Sequence, residues 1–300
     1  MTAKASMATE VNLSAEPFLR WIGGKRRLAK KLLDFIPSGA RERRYFEPFM
    51  GAGSLFFALR PKKAILADLN SHLIDCYSFV RDRHNGVHSE LTRLARTNTE
   101  RQYYAVRGAY NRSGPSATQA ARFIFLNHTC FNGVFRVNRQ GAFNVPYGFK
   151  QTPNFPSKAH LAAVSAALLK CSLTAADYET VLRGARKDDF IYLDPPYPPL
   201  NGTSNFTRYT RFRFAAPEQE RLAANVRALD RKGCLLMITN ADTPRIRQLY
   251  EGFSLFELKV TRFVTYKSVK HRVGELVITN YQPTAFTLGR RLRKLGGRNA

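Results

Sequence analysis

A chain of 300 residues that is 44% apolar, with 13 Tyr and 22 Phe, can build one large α/β domain or a core with an insertion, and is too apolar to stay disordered. Its 48 Lys and Arg stand against 22 Asp and Glu, a formal charge of +26 that favours a polyanionic partner, nucleic acid ahead of an anionic membrane surface. No apolar run approaches transmembrane length, and Met1 to Glu10 lacks the apolar core of a signal peptide, so a membrane-spanning or exported protein is not expected.

Residues 1–14 are small and polar and read as a loose arm. The stretch Trp21-Ile22-Gly23-Gly24-Lys25 leads into an amphipathic helix with Leu28, Leu32, Leu33 and Phe35 as its stripe, closed by Pro37. Tyr45-Phe46-Glu47 predicts a short strand, followed by a Gly-rich turn and a helix through Leu59. Ala64 to Ala67 predicts the next strand, ending on Asp68, and a helix follows from about Ser71 to Arg81. Strand, Gly-rich turn, helix, strand, acid is the opening βαβ unit of a doubly wound sheet. From 82 to 157 the pattern changes to helical stretches and then a Gly- and Asn-rich segment. Its two alternating arms around Arg139-Gln140-Gly141 predict a hairpin. The α/β alternation then resumes, with helices near Ala159–Leu169, Tyr178–Leu182 and Pro217–Asp230. The strands fall near Cys171–Leu173, Phe190–Leu193, Cys234–Thr239 and Glu275–Ile278. The tail holds Arg290, Arg291, Arg293, Lys294 and Arg298 without an acid and reads as a flexible basic arm. This organises the chain as residues 15–81 and 158–282 forming one discontinuous domain, 82–157 an insertion, and 1–14 and 283–300 flexible arms.

Cys76, Cys130, Cys171 and Cys234 are scattered, which argues against a zinc site or a disulfide framework and for a reduced, cytoplasmic protein without metal. The chemistry-bearing motif is Asp194-Pro195-Pro196-Tyr197. Two prolines cannot continue the Phe190–Leu193 strand, so they force a rigid turn at its C-terminal end, where open α/β sheets place ligands. The turn directs the Asp194 carboxylate, the Pro195 carbonyl and the Tyr197 ring to one point. That set suits a flat heterocycle with an exocyclic amino group: two acceptors for two N–H groups and a ring to stack on. Phe49-Met50-Gly51-Ala52-Gly53 gives a tight turn and close backbone approach. Phe56 stands where a dinucleotide fingerprint needs its third glycine, and no GKS or GKT follows, so nicotinamide, flavin and P-loop cofactors are disfavoured. A nucleoside-containing ligand remains, with Asp68 placed to accept from ribose hydroxyls.

Taken in order, Trp21 to Lys25, Glu47 to Gly53, Ala67-Asp68-Leu69-Asn70, Phe143 to Gly148 and Asp194 to Tyr197 resemble the Dam-type DNA adenine N6-methyltransferases. Asn205 to Tyr209 and Ile238-Thr239-Asn240 extend the likeness, which covers residues 17–282. The Gly-rich turn precedes the Asp-Pro-Pro-Tyr turn with the insertion between, as in the α-arranged amino-methyltransferases. The resemblance implies a Rossmann-like α/β sheet that binds S-adenosylmethionine, with an inserted, mainly helical DNA-recognition domain containing the hairpin. It implies that Trp21, Lys25, Phe49, Gly51, Gly53, Asp68, Asp177 and Asp194 serve the cofactor. It also implies that Asp194, Pro195, Pro196 and Tyr197 serve an adenine flipped out of duplex DNA. The insertion is expected to read sequence: Arg136 suits a guanine edge in the major groove, with Asn132, Asn138, Asn144 and Pro146 as further DNA contacts. GATC is the expected site and a monomer the expected state. An N4-cytosine methyltransferase, whose target is also an exocyclic amine, remains the alternative, as does a DNA-binding relative without activity; an RNA enzyme is disfavoured because no RNA-binding module is recognisable.

Overall fold

The computed structural model describes residues 15–197, 214–258, 274–283, 285 and 293–297. The basic positions Arg290, Arg291 and Arg298, the arm 1–14 and the Asn205–Tyr209 motif lie outside them.

The expected first amphipathic helix is shorter than its apolar stripe suggested. One α-helical turn, α1 (Ala29–Leu32), passes into a 3-10 turn at Leu33–Phe35, and Ile36 before Pro37 is extended, as a residue preceding proline prefers. Strand β1 (Arg44–Glu47) leads through the Gly-rich turn to α2 (Ser54–Leu59) and β2 (Lys63–Asp68). Helix α3 (Ser71–Leu94) is capped by Asn70, whose side chain accepts from the Leu73 amide. It runs well past the residue 82 at which the insertion was expected to begin, with only a kink at Arg83. Helices α4 (Glu100–Arg112) and α5 (Ala117–Thr129) follow, capped by Thr99 and Ser116. Then come α6 (Lys158–Leu168), β3 (Cys171–Ala175), α7 (Tyr178–Leu182) and β4 (Phe190–Leu193). The remaining described elements are α8 (Ala216–Arg231), β5 (Leu235–Ala241), α9 (Pro244–Leu249), β6 (Ser254–Leu258), β7 (Glu275–Thr279) and β8 (Lys294–Gly296).

The strands form one eight-stranded sheet in the order β3-β2-β1-β4-β5-β7-β6-β8. The first five are parallel; β7 runs antiparallel to β5 and β6. The sheet is covered on both faces, so its central strands are apolar throughout rather than alternating. Within β4, Phe190 and Tyr192 join one core cluster while Ile191 and Leu193 join the other, following the period of two. The first cluster also contains Phe123, Phe125, Tyr103 and Phe143, so the helices and hairpin of the insertion share a core with one face of the sheet.

The hairpin is compact. The Asn138 amide donates to the Ala142 carbonyl at 2.8 Å and the Asn144 amide to the Arg136 carbonyl at 3.1 Å, with an antiparallel bridge between Val137 and Phe143. One tail reading is corrected: Lys294–Gly296 is not a loose arm but the edge strand β8, paired with β6. The outer edge of β6 has backbone groups that need partners, and this segment supplies them.

Candidate active site

The C-terminal ends of β3, β2, β1 and β4 are neighbours in the sheet, and the residues expected to bind a ligand follow them in that order. Asp177 comes after β3, Asp68 ends β2, Phe49, Gly51 and Gly53 follow β1, and Asp194 follows β4. At the Gly-rich turn, Gly51 has φ of +48°, and a Cβ there would sit 2.9 Å from the Trp21 indole, so only glycine lets the indole lie on this turn. The Gly51 amide donates to one Asp68 oxygen at 3.0 Å and the Asn70 amide to the other at 2.9 Å. Burial raises the Asp68 carboxyl above its ordinary range, against those two donors. Burial, reinforced by the Asp194 charge, pushes the Glu47 carboxyl under the turn up to about 8; the Tyr45 hydroxyl donates to it at 2.8 Å. Phe49 packs on Tyr178 at 5.2 Å between centroids and meets Phe214 edge-on. Asp177 caps α7 through the Glu179 amide and lies 3.6 Å from Arg221.

The Asp-Pro-Pro-Tyr turn is held from three sides. The Lys25 ammonium, 6% exposed, donates to both Asp194 oxygens at 2.8 and 2.9 Å and lies 3.4 Å from Glu275. Thr239 of β5 donates to Asp194 Oδ1 at 2.6 Å. The Tyr197 hydroxyl donates to Glu275 at 2.5 Å and lies 3.3 Å from Asp194, while the Lys25 ammonium sits 4.6 Å from the Tyr197 ring centre. Burial, then the two carboxylates, hold the Tyr197 phenol far above its ordinary range, so it stays neutral. Gln219 of α8 donates to the Pro196 carbonyl at 3.0 Å and is itself held by Asn240. The Pro195 carbonyl takes no donor among the described residues. The Lys25 ammonium is thus shared by two carboxylates, those of Asp194 and Glu275.

The hairpin residues fall into two groups. Arg136 Nε donates to Asn144 Oδ1 at 2.7 Å, so this pair acts as a unit. Asn138 is committed to its turn, its oxygen accepting from the Gln140 and Ala142 amides. Asn132, at φ of +53°, and Pro146 are exposed. Phe135 links this region to the Gly-rich turn, stacking on Trp21 at 6.1 Å and packing on Phe143 and Phe123 at 5.5 Å. All four cysteines are buried, and burial raises their thiols, those of Cys130 and Cys234 to about 11 and that of Cys171 to about 12, so none is a reactive nucleophile.

Sequence reasoning missed Glu275 and Asn127. Glu275 opens an otherwise apolar strand, and a charge in such a run was the available signal. Asn127 is buried in α5; it accepts from the Arg20 amide at 2.8 Å and donates to the Arg20 carbonyl at 2.7 Å, pinning the segment that carries Trp21. A buried amide inside a helix carries no spacing signature that would announce this role.

The sheet order with its antiparallel β7, and the turns gathered at one edge, define a Rossmann-like methyltransferase fold. Residues 21–264 match the D12 class N6 adenine-specific DNA methyltransferases. A Type II methyltransferase of Methanocaldococcus jannaschii, M.MjaIII, is 35% identical over 289 residues, covering 90% of this chain and 100% of that protein. DNA adenine methylases of Vibrio cholerae and Haemophilus influenzae are each 34% identical, covering 87% and 88% of this chain and 94% and 93% of their own lengths. The chain belongs to the D12 class N6 adenine-specific DNA methyltransferases and is a DNA adenine methyltransferase.

Proposed function

We propose that the protein transfers the methyl group of S-adenosylmethionine to N6 of an adenine flipped out of duplex DNA, within GATC or a related short palindrome. The observation that carries this reading is the Asp194 carboxylate, held by Lys25, Thr239 and Tyr197 beside the Pro195 carbonyl.

The residues fit the cofactor. Ser54 Oγ, buried at the start of α2, has no hydrogen-bond partner among the described residues and adds a polar group beside the Gly-rich turn. Asp68 would accept from the ribose hydroxyls, Trp21 and Phe49 would offer apolar contact, and Asp177 would serve the adenine. The Asp194 carboxylate at the end of β4 suits a cationic sulfonium nearby. When bound, the cofactor supplies an electrophilic methyl group.

The chain's own residues position the acceptor. The target base must leave the duplex, because its N6 is otherwise committed to pairing. Its amino group takes acceptor sites on Asp194 and on the Pro195 carbonyl, which draws the nitrogen toward a tetrahedral form and localises its lone pair. Lys25, which spans both Asp194 oxygens in the free protein, yields part of that contact and keeps the carboxylate aligned. Tyr197, oriented by Glu275, stacks on the base, an interaction worth roughly 1–3 kcal/mol. Catalysis is then positioning and electrostatics, without a covalent protein intermediate. Arg136, steadied by Asn144, reads a guanine edge. The protein acts as a monomer in the cytoplasm.

The test is nucleoside mass spectrometry of unmethylated duplexes, with GATC or scrambled, after incubation with the protein and S-adenosylmethionine. N6-methyladenine confined to the GATC duplex is expected. N6-methyladenine in both overturns the assigned specificity, and N4-methylcytosine or no modified base overturns the reaction.

A further inference from the structure

The five parallel strands that present the site at their C-terminal ends all begin at the opposite edge of the sheet, and that edge is basic. An exposed cation stands at every beginning: Arg41 before β1, Lys63 in β2, Lys170 before β3, Lys187 before β4 and Lys232 before β5. Among the described residues none of these five has an ion-pair partner. Acids of the same edge are already taken by other cations there: Glu42 by Lys62, Asp188 by Arg43 at 3.6 Å and Asp189 by Arg44. The described cations beyond those pairs are therefore available to an outside anion.

Helix ends account for part of this pattern. Lys170 follows α6 and Lys232 follows α8, where a cation complements the negative end of the helix. Arg41, Lys63 and Lys187 stand beyond the last turn of any helix, so that account does not cover them. Strands about 4.8 Å apart carry the five cations across a row roughly 19 Å wide. Duplex DNA offers one phosphate charge per about 1.7 Å of its axis, so a duplex lying along this row meets every cation. Four of the five are lysines, point charges without the planar fork that reads a guanine, so the contact is to backbone and carries no sequence preference. The strands separate this edge from the site by about 13–23 Å of sheet, at about 3.3 Å per residue, so the two lie at opposite ends of the parallel strands.

We infer that the strand-start edge is a second duplex-binding surface, which holds another DNA segment by its phosphates while the active site engages the first. This rests on duplex DNA being the substrate. Such a protein links two segments and passes between them without release into bulk solution.

The test is a two-duplex capture. A biotinylated GATC duplex on beads is loaded with the full chain, washed, and offered a labelled duplex without GATC at low salt. The wild-type protein is expected to retain the labelled duplex. The triple variant K63E/K187E/K232E is expected to lose that retention by at least about tenfold, with the salt slope of capture shallower by about 2.7. Methylation of a short single duplex by the variant should stay at the wild-type rate, which also shows that it folds. The milder K63Q/K187Q/K232Q should fall between the two. Equal capture by wild type and variants overturns the inference, and so does retention of the bead duplex without the labelled one. Loss of binding to phosphatidylserine vesicles in the variant, with capture unchanged, assigns the edge to a membrane surface and overturns it as well. If the wild type fails to hold even the bead duplex, the reading of duplex DNA as substrate fails with it.

Discussion

The two turns that face the proposed substrate are held by opposite means. The Asp194–Tyr197 turn is braced by buried charge: one ammonium between two carboxylates, a threonine hydroxyl and a phenol, with Gln219 on the backbone behind. The Arg136–Asn144 hairpin is anchored by rings, Phe135 against Trp21, Phe123 and Phe143, and closed by the Asn138 side chain. The difference teaches where precision is placed. The Asp194 carboxylate is fixed by several partners that leave it little freedom. The hairpin is held through its backbone and apolar rings, with Arg136 and Asn138 tied within it and Asn132 and Pro146 exposed. Trp21 joins the hairpin to the Gly-rich turn, lying on Gly51 on one side and on Phe135 on the other.

The largest effect that would break this contrast is expected at Asp194. Asp194→Ala should reduce methyl transfer by more than about a thousandfold, measured with labelled cofactor, as expected for loss of a preorganised group at the reacting atom. Retention of appreciable transfer would mean that the carboxylate is structural. Next comes Lys25→Met, which removes the ammonium bonded to both Asp194 oxygens. It should lower stability by about 3–5 kcal/mol, seen as a fall in unfolding midpoint, because an uncompensated buried charge remains. A midpoint unchanged from wild type would show that the ionic brace contributes little.

Glu47 gives a pH test of the same half. Its folded carboxyl is raised to about 8 by burial, whereas in the unfolded chain it titrates at about 4.5. The stability it contributes is therefore fully present below pH 4.5 and is lost as pH rises toward 8. Glu47→Gln should flatten that part of the stability profile; a profile that keeps its slope would place the proton elsewhere. In the hairpin, Arg136→Ala should lower discrimination between GATC and scrambled duplexes by about 1–3 kcal/mol while leaving the turnover on GATC close to wild type. A loss of turnover with discrimination intact would put Arg136 on the catalytic side of the contrast. The smallest effect is expected for Asn138→Ala, about 1 kcal/mol of stability from two lost turn bonds, read from chemical denaturation.

The elements most legible in the sequence were those whose signal is local. The strand Phe190–Leu193 ends where two prolines forbid continuation, helix α7 lies at the expected residues, and the Gly-rich turn sits between β1 and α2. Less legible was the extent of α3: the expected end near Arg81 marks the kink at Arg83, and the helix resumes because Val87, Leu91 and Leu94 keep an apolar face for the shared core. The basic tail read as an arm because charge was weighed without the unpaired edge of β6 that Lys294–Gly296 completes.

For the site, residue types and spacing singled out Asp194, Tyr197, Asp68 and Gly51 as candidates, because turn geometry and strand ends are written in neighbouring residues, whereas Lys25 entered only through the family resemblance. Their partners were decided by the tertiary structure. Lys25 and Asp194 lie 169 residues apart in the chain, and Glu275 arrives from an antiparallel strand beyond both. Asn127 meets Arg20 across 107 residues. No periodicity connects such positions, since the contact exists only once the sheet order has brought the strands side by side. Local chemistry was thus set by the sequence itself, and the charge balance around Asp194 by packing, which alone determines which buried charges must share a partner.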